Sequence, residues 1–197
     1  MDEQSQPVLL VLSGPSGAGK TTVAHRLLEA NSNLQRMVTC TTRAPREGEV
    51  DGQDYHYLTE DDFLTQIRVG GFLEHAEVYG KRYGTLKSSV QEALAAGRDV
   101  LIVNDVQGAL TLSAMARQDN ALGKALQTLF IVVPGVSELR ARLEERAADE
   151  ADTIEDRLAI AEAEMQQQGQ FDHVIVSSTR EADFERAQTI YQNTKAA

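Results

Sequence analysis

Eight residues, GPSGAGKT at 14–21, place glycines, a lysine and a threonine at the spacing G-x-x-x-x-G-K-[ST]. Gly14, Gly17 and Gly19, with Pro15, Ser16 and Ala18 between them, let a backbone wrap a phosphate and aim successive N–H groups at it. A helix starting near Lys20 would add the positive end of its dipole. In such a loop Lys20 bridges the β- and γ-phosphates of a nucleoside triphosphate. The Thr21 hydroxyl is placed to ligate Mg²⁺, and Thr22 extends the triphosphate-binding set. The pattern has chemical meaning only between a strand and a helix, and both are predicted here.

A second stretch, TTRAPREGEVDGQDYHY at 41–57, carries Arg43 and Arg46 three residues apart. Each guanidinium can grip a phosphate in fork geometry. Pro45 stiffens the loop between them, and Tyr55 adds a neutral hydroxyl donor. The bland reading is two solvated loop arginines. Asp105 follows an apolar run, the usual place for an acid that supports Mg²⁺ or its waters. Capping of the following helix is equally compatible with that position.

These residues must be positioned by the elements around them. VLLVLS at 8–13 reads as a strand buried on both faces, and Lys20–Glu29 as a helix. Further strands are predicted over 37–42, 55–59, 72–79, 99–104, 128–133 and 173–176. Helices are predicted over 60–69, ended by Gly70-Gly71, and over 86–96, 107–117, 137–146, 153–168 and 180–193. In the helix over 153–168, Ile154, Leu158, Ala161 and Met165 share one face. Strands alternating with helices imply an α/β protein with a parallel sheet flanked by helices, and a meander inserted at about 55–85. Ligands of such sheets lie at the carboxyl ends of the strands.

The bulk numbers narrow the function. A chain of 197 residues suits one domain with insertions, and 42% hydrophobic residues supply a core. The net charge of −11 repels a phosphate backbone at a distance and disfavours nucleic acid as the main partner. Clustered arginines can still reverse the field locally. No run of about 18 apolar residues offers a membrane span. MDEQSQP lacks the features of a signal peptide. The single cysteine, Cys40, cannot form an internal disulfide, which suits a cytoplasmic setting.

A phosphate loop alone leaves a switch, a kinase and a retired scaffold in competition. A base-reading N-K-x-D motif, usual in switches, is absent. A kinase needs a second site that holds an acceptor in line, and the 41–57 loop is suited to one. Here a resemblance becomes specific. GPSGAGKT, TTRAPREGEVDGQDYHY, FLEHAEVYGKRYGT and NDVQGA resemble guanylate kinase in order and spacing, over nearly the whole chain. The resemblance implies a P-loop kinase core over 1–39, 86–136 and 158–197, a mixed α/β GMP-binding region over 40–85 and a helical lid over 137–157. It implies that Arg43, Arg46, Tyr55 and Tyr83 hold the GMP phosphate and that Glu74 accepts from guanine N1–H and the 2-amino group. It also implies that Thr85 faces O6 and that Thr39 and Asp105 lie at the nucleotide. Arg142, Arg146 and Arg157 would be lid arginines that act, with Lys20 and Arg43, on the transferring phosphoryl group. The implied reaction is γ-phosphoryl transfer from ATP to GMP with Mg²⁺, and the implied partners are those small molecules.

Four positions depart from the family pattern. Val103 stands where an acid is common, and Glu145 and Ala147 stand where glycines flank the second lid arginine. Val176-Ser177-Ser178-Thr179 replaces a V-N-D-D-like turn near the adenine, leaving Ser177 to hydrogen-bond. Cys40 stands for Ser and reads as a small buried residue. Two rivals remain. One is a guanylate-kinase-like protein-interaction domain, although such domains usually lose the loop residues that Lys20 and Thr21 preserve here. The other is a kinase for another phosphorylated acceptor.

Overall fold

A computed structural model describes residues 6–78, 80–116, 118–146 and 154–196. The chain runs through β1 (Leu9–Ser13), α1 (Lys20–Ala30), β2 (Leu34–Arg36), β3 (Cys40–Thr41), β4 (His56–Tyr57), α2 (Glu60–Arg68), β5 (Phe72–Val78) and β6 (Lys81–Leu86). It continues through α3 (Lys87–Ala95), β7 (Asp99–Val103), α4 (Val106–Ala116), α5 (Asn120–Ala125) and β8 (Leu126–Val132). The last elements are α6 (Val136–Arg146), α7 (Ile154–Met165), a 3₁₀ turn at Gln166–Gln170, β9 (His173–Val176) and α8 (Arg180–Ala196).

Five parallel strands form the main sheet in the order β2-β7-β1-β8-β9. The period of two along each strand divides its side chains between two layers. Leu10, Leu12, Leu101, Leu129 and Ile131 pack with Val23, Ala24 and Leu27 of α1. Leu9, Val11, Val100, Ile102, Phe130 and Val132 pack with Val106, Ala109 and Leu112 of α4. Both faces are therefore apolar and covered, as continuous buried runs require.

Asp99 ties the sheet together. Its carboxylate is fully buried and accepts from Val8 N–H (2.8 Å), Tyr191 Oη (2.6 Å), Lys195 Nζ (3.0 Å) and Asn33 Nδ2 (3.1 Å). Burial opposes its charge, but these bonds outweigh that and hold its carboxyl below the ordinary range.

The second sheet has four strands in the order β4-β3-β6-β5. β5 and β6 form a hairpin around Gly80 (φ 68°), and its register sets Glu74 opposite Thr85. Phe63, Phe72 and Cys40 make its small core, and burial pushes the Cys40 thiol up to about 11.

One expectation needs correction, and the predicted set omits β2, β6 and α5. Of the strand expected over 37–42 only Cys40–Thr41 is a strand, β3 of the second sheet, and β2 of the main sheet ends just before that range at Arg36. β2 pairs with β7, Met37 N–H makes a last bond to Leu101 O (2.9 Å), and the chain then crosses to β3. β6 begins with two cations and contains a glycine, so its sequence hides its strand character. α5, capped by Asp119 through Ala121 and Leu122 N–H, spans only six residues and carries too little periodicity to announce itself.

Candidate active site

The loop after β1 is built by its glycines. Gly14 takes φ 143°, and a Cβ there would lie 2.3 Å from Ile131 O, so only glycine fits. Gly19 precedes α1 at φ 97°, a left-handed conformation that glycine adopts at low cost. Lys20 folds back and donates to Gly14 O (2.6 Å) and Pro15 O (3.0 Å). Those contacts aim the start of α1 at the open side of the loop.

This loop forms one end of a cavity of about 1110 Å³ at the carboxyl ends of β1 and β7. The walls bring Lys20, Thr21 and Thr22 together with Thr39, Arg43, Arg46, Tyr55 and Tyr83, and with Asp105, Arg142, Arg157 and Ser177. Among the described residues the lining holds seven Lys or Arg side chains against three carboxylates, in a chain of net charge −11. The field is thus reversed locally and suits an anionic ligand.

At the far end, Glu49 organises the arginine loop. Its carboxylate accepts from Arg43 Nη1 (2.9 Å) and Nη2 (2.8 Å), from Arg46 N–H (2.7 Å) and from Tyr57 Oη (2.7 Å). The Arg43 guanidinium lies 5.3 Å from the Tyr55 ring centroid, and Tyr55 and Tyr83 meet edge to face at 6.1 Å. The hydrogen bond from Arg43 is the largest influence holding the Glu49 carboxyl down at about 2. Arg43 is raised reciprocally, chiefly by the same bond.

Glu74 and Thr85 lie deeper. Glu74 is 4% exposed and Thr85 1%, and neither lines the cavity. Glu74 Oε1 accepts from Thr85 Oγ1 (2.6 Å) and from Asn104 Nδ2 (3.0 Å). Burial raises the Glu74 carboxyl, those two bonds oppose the rise, and the Asp105 charge adds to it. Asp105 itself caps α4, accepting from Gly108 N–H at 2.9 Å, and still reaches the cavity wall.

The α6 side is held to the loop by packing. A Cβ on Gly17 would meet Leu143 Cδ2 at 3.5 Å and Leu139 Cδ1 at 3.7 Å, so α6 rests on the phosphate loop. Arg142 donates to Ser177 Oγ (3.1 Å) and Glu138 Oε1 (2.6 Å). Arg157, 3% exposed, donates to Ser16 Oγ at 3.3 Å. Arg146 ends α6, its side chain lies outside the described residues, and so does the 147–153 part of the expected lid. Ser177 Oγ also donates to Asp183 Oδ2 (2.7 Å), whose Oδ1 accepts from Ser178 N–H (2.9 Å).

Sequence reading missed Glu49, Tyr57, Asn104, Glu164 and Asp183. Glu49 lies inside the arginine loop, where an acid six residues after Arg43 is a fork partner. Glu164 stands three residues after Ala161, on the apolar face of α7, and lines the cavity. Burial pushes its carboxyl up to about 7; Lys20 opposes the rise and Asp105 adds to it. No pattern in the sequence marks Asn104 or Asp183.

Comparison with known proteins agrees with this geometry. A family model described as guanylate kinase matches residues 6–194. A guanylate kinase of Ruegeria sp. (strain TM1040) is 42% identical over 98% of this chain and 86% of its own length. One of Maricaulis maris (strain MCS10) is 46% identical over 91% of this chain and 78% of its own. The crystal structure of guanylate kinase from Anaplasma phagocytophilum superposes with a TM-score of 0.80 at 33% identity, covering 98% of this chain and 88% of that one. With a phosphate loop at one end of the cavity and Arg43 and Arg46 at the other, the chain belongs to the guanylate kinase family.

Proposed function

We propose that the protein transfers the γ-phosphoryl group of ATP to GMP, giving ADP and GDP. The observation that carries this reading is a single cavity shared by the phosphate loop and the Arg43–Arg46–Tyr55–Tyr83 cluster. In this reading ATP lies on the P-loop core (1–39, 86–136 and 158–197), with Gly14 to Thr22 cradling its phosphates and Ser177 near its base. GMP lies in the 40–85 region, its phosphate on the arginine and tyrosine cluster and its base towards Glu74 and Thr85, with Thr39 and Asp105 beside it. The lid is 137–157 and brings Arg142, Arg146 and Arg157 over the γ-phosphate.

The acceptor phosphate attacks in line, so no side-chain nucleophile is required. Lys20 and the arginines lower the barrier by neutralising charge on the moving phosphoryl group. Arg43 steadies the attacking phosphate, and Glu49 fixes the direction of that guanidinium. A carboxylate facing two adjacent donors selects guanine, because adenine lacks the 2-amino group and would bring Glu74 no matching pair of donors.

Mg²⁺ fits the donor set. Thr21 offers an exposed hydroxyl at the cavity, Asp105 and Glu164 offer carboxylates there, and no cluster of three metal-ligating side chains occurs among the described residues. That is the sparse protein contribution expected for an ion held mainly by phosphate oxygens and water. Thr21 would hold it directly and Asp105 through water, and the ion would supply charge neutralisation at the β- and γ-phosphates.

Cytoplasmic action on small molecules completes the proposal. No helix among the described residues is long and apolar enough to cross a membrane. A coupled assay with ATP, Mg²⁺ and a panel of GMP, dGMP, AMP, CMP, UMP and a sugar phosphate tests the reading. Turnover of GMP above the other ribonucleotides is expected. Lack of turnover with any acceptor would overturn the enzyme reading, and preference for AMP would overturn the role given to Glu74.

A further inference from the structure

We propose that Asn104 is a specificity-determining residue that sets the base-reading geometry of Glu74. The inference rests on the guanylate kinase reading above and extends it to a residue which that reading leaves out.

Asn104 follows the last residue of β7, where the alternation of side chains separates it from Val103. Val103 packs against the cluster shared with α1. Asn104 turns the other way and donates from Nδ2 to Glu74 Oε1 at 3.0 Å. Thr85 Oγ1 donates to the same oxygen at 2.6 Å. Glu74 Oε1 is therefore held from two sides, and the backbone N–H of Thr85 adds a further bond to the carboxylate, which together restrict its orientation.

Gly108 supplies the space for this arrangement. A Cβ there would lie 3.0 Å from both Asn104 Nδ2 and Glu74 Oε2, so any larger residue would press on the carboxamide and the carboxylate together. The backbone of Asn104 is also fixed, donating to Leu12 O at 3.1 Å, one residue before the end of β1. Its side chain is thus carried by the rigid sheet, whereas Glu74 comes from the hairpin of the second sheet.

Asn104 lines the nucleotide cavity and Glu74 does not. The carboxamide is therefore the part of the pair that meets the cavity. It retains a second N–H and an Oδ1 acceptor beyond the bond to Glu74. A base that offers an imino N–H and an adjacent amino group meets a carboxylate of fixed orientation, with a carboxamide beside it. A base lacking the amino group gains less from that orientation. A carboxamide can approach a carboxylate only through its N–H₂ side, so Asn104 also favours the ionised form of Glu74 that accepts from such donors.

The test compares wild type with Asn104→Ala and Asn104→Leu, the second keeping the side-chain shape while removing the donor. GMP and IMP, which differ by the 2-amino group, are the acceptors. Loss of a bond to a buried carboxylate is expected to lower kcat/KM for GMP by about tenfold or more and to lower the GMP:IMP preference with it. KM for ATP is expected to stay within about twofold, since the phosphate loop is untouched. A merely structural role would lower the melting temperature and leave the GMP:IMP ratio unchanged, and that outcome overturns the proposal. Failure of both variants to fold would also count against it, because a positioning side chain at a cavity wall is dispensable for folding. Wild-type protein that does not phosphorylate GMP would instead overturn the parent reading.

Discussion

Glu49→Gln is the most informative single change in the arginine loop. Glu49 holds Arg43 by two bonds of 2.8 and 2.9 Å and takes two more from Arg46 N–H and Tyr57 Oη. A glutamine keeps the shape, loses the charge and turns an N–H₂ group towards at least one of these donors. The depression of the Glu49 carboxyl from 4.5 to about 2 corresponds to about 3 kcal/mol of preference for the charged form. About a fifth of the Glu49 side chain stays in water, and screening reduces the usable part to about 2 kcal/mol. If Glu49 presents Arg43 to the acceptor phosphate, that loss appears as a rise in KM for GMP of about 30-fold. KM for ATP should not move, and kcat at saturating GMP should fall less than about threefold. Because the folded value lies below the unfolded one, the stabilisation is present above pH 4.5 and is lost as pH falls through about 2. Wild type and variant should therefore differ by the same factor throughout pH 6–8. A lower KM for GMP in the variant would refute the reasoning, since it would mean that Glu49 competes with the phosphate for Arg43.

Other expectations are equally direct. Arg157→Lys keeps a cation but loses the planar fork at Ser16, and kcat should drop by about 100-fold or more with little change in either KM. A change confined to KM for ATP would reassign Arg157 to ground-state binding. Glu164→Gln should flatten the pH dependence of stability. With a folded value of about 7 against an ordinary 4.5, the wild-type protein loses about 2 kcal/mol relative to the variant as pH rises from 5 to 8. Parallel denaturation curves at pH 5 and pH 8 would show that the carboxyl titrates normally. Asp99→Ala should cost about 3 kcal/mol, because Lys195 and the buried Tyr191 hydroxyl lose their acceptor. A loss below about 1 kcal/mol in urea unfolding would mean that the carboxylate is not a structural hub.

How much of this was legible in the sequence follows from how local each feature is. The phosphate loop occupies eight consecutive residues, and its meaning survives without knowledge of tertiary contacts. The parallel core was equally readable, since each strand is a short apolar run bounded by turns. The join between the sheets was not. Leu34–Arg36 alternates as an edge strand and is too short to register, and the break after Met37 exists only because the chain leaves β7 for β6. Glu74 and Thr85 were placed by resemblance, because their pairing depends on the register of a hairpin whose second strand reads KRYGTL. Arg43 and Arg46 are legible as a pair facing a ligand, yet the residue that aims Arg43 is Glu49, and that pairing depends on how the loop folds back on itself. An asparagine after a strand carries no chemical signature of its own, so Asn104 emerged only from its distance to Glu74.

The Asp99 junction bears on how the chain comes into being on a ribosome. Asp99 is synthesised in the middle of the chain, as the first residue of β7, where it pairs with Leu34 of β2. Its acceptors are then only partly used, by Val8 and Asn33. The phenol of Tyr191 and the ammonium of Lys195 arrive more than ninety residues later. Until α8 has left the exit tunnel, the Asp99 carboxylate lacks two of the donors it has in the finished fold, among them the Lys195 ammonium. The last helix to be made therefore completes two things at once, the Asp99 junction and the wall of the cavity, which includes Arg180 and Asp183 at the start of that same helix.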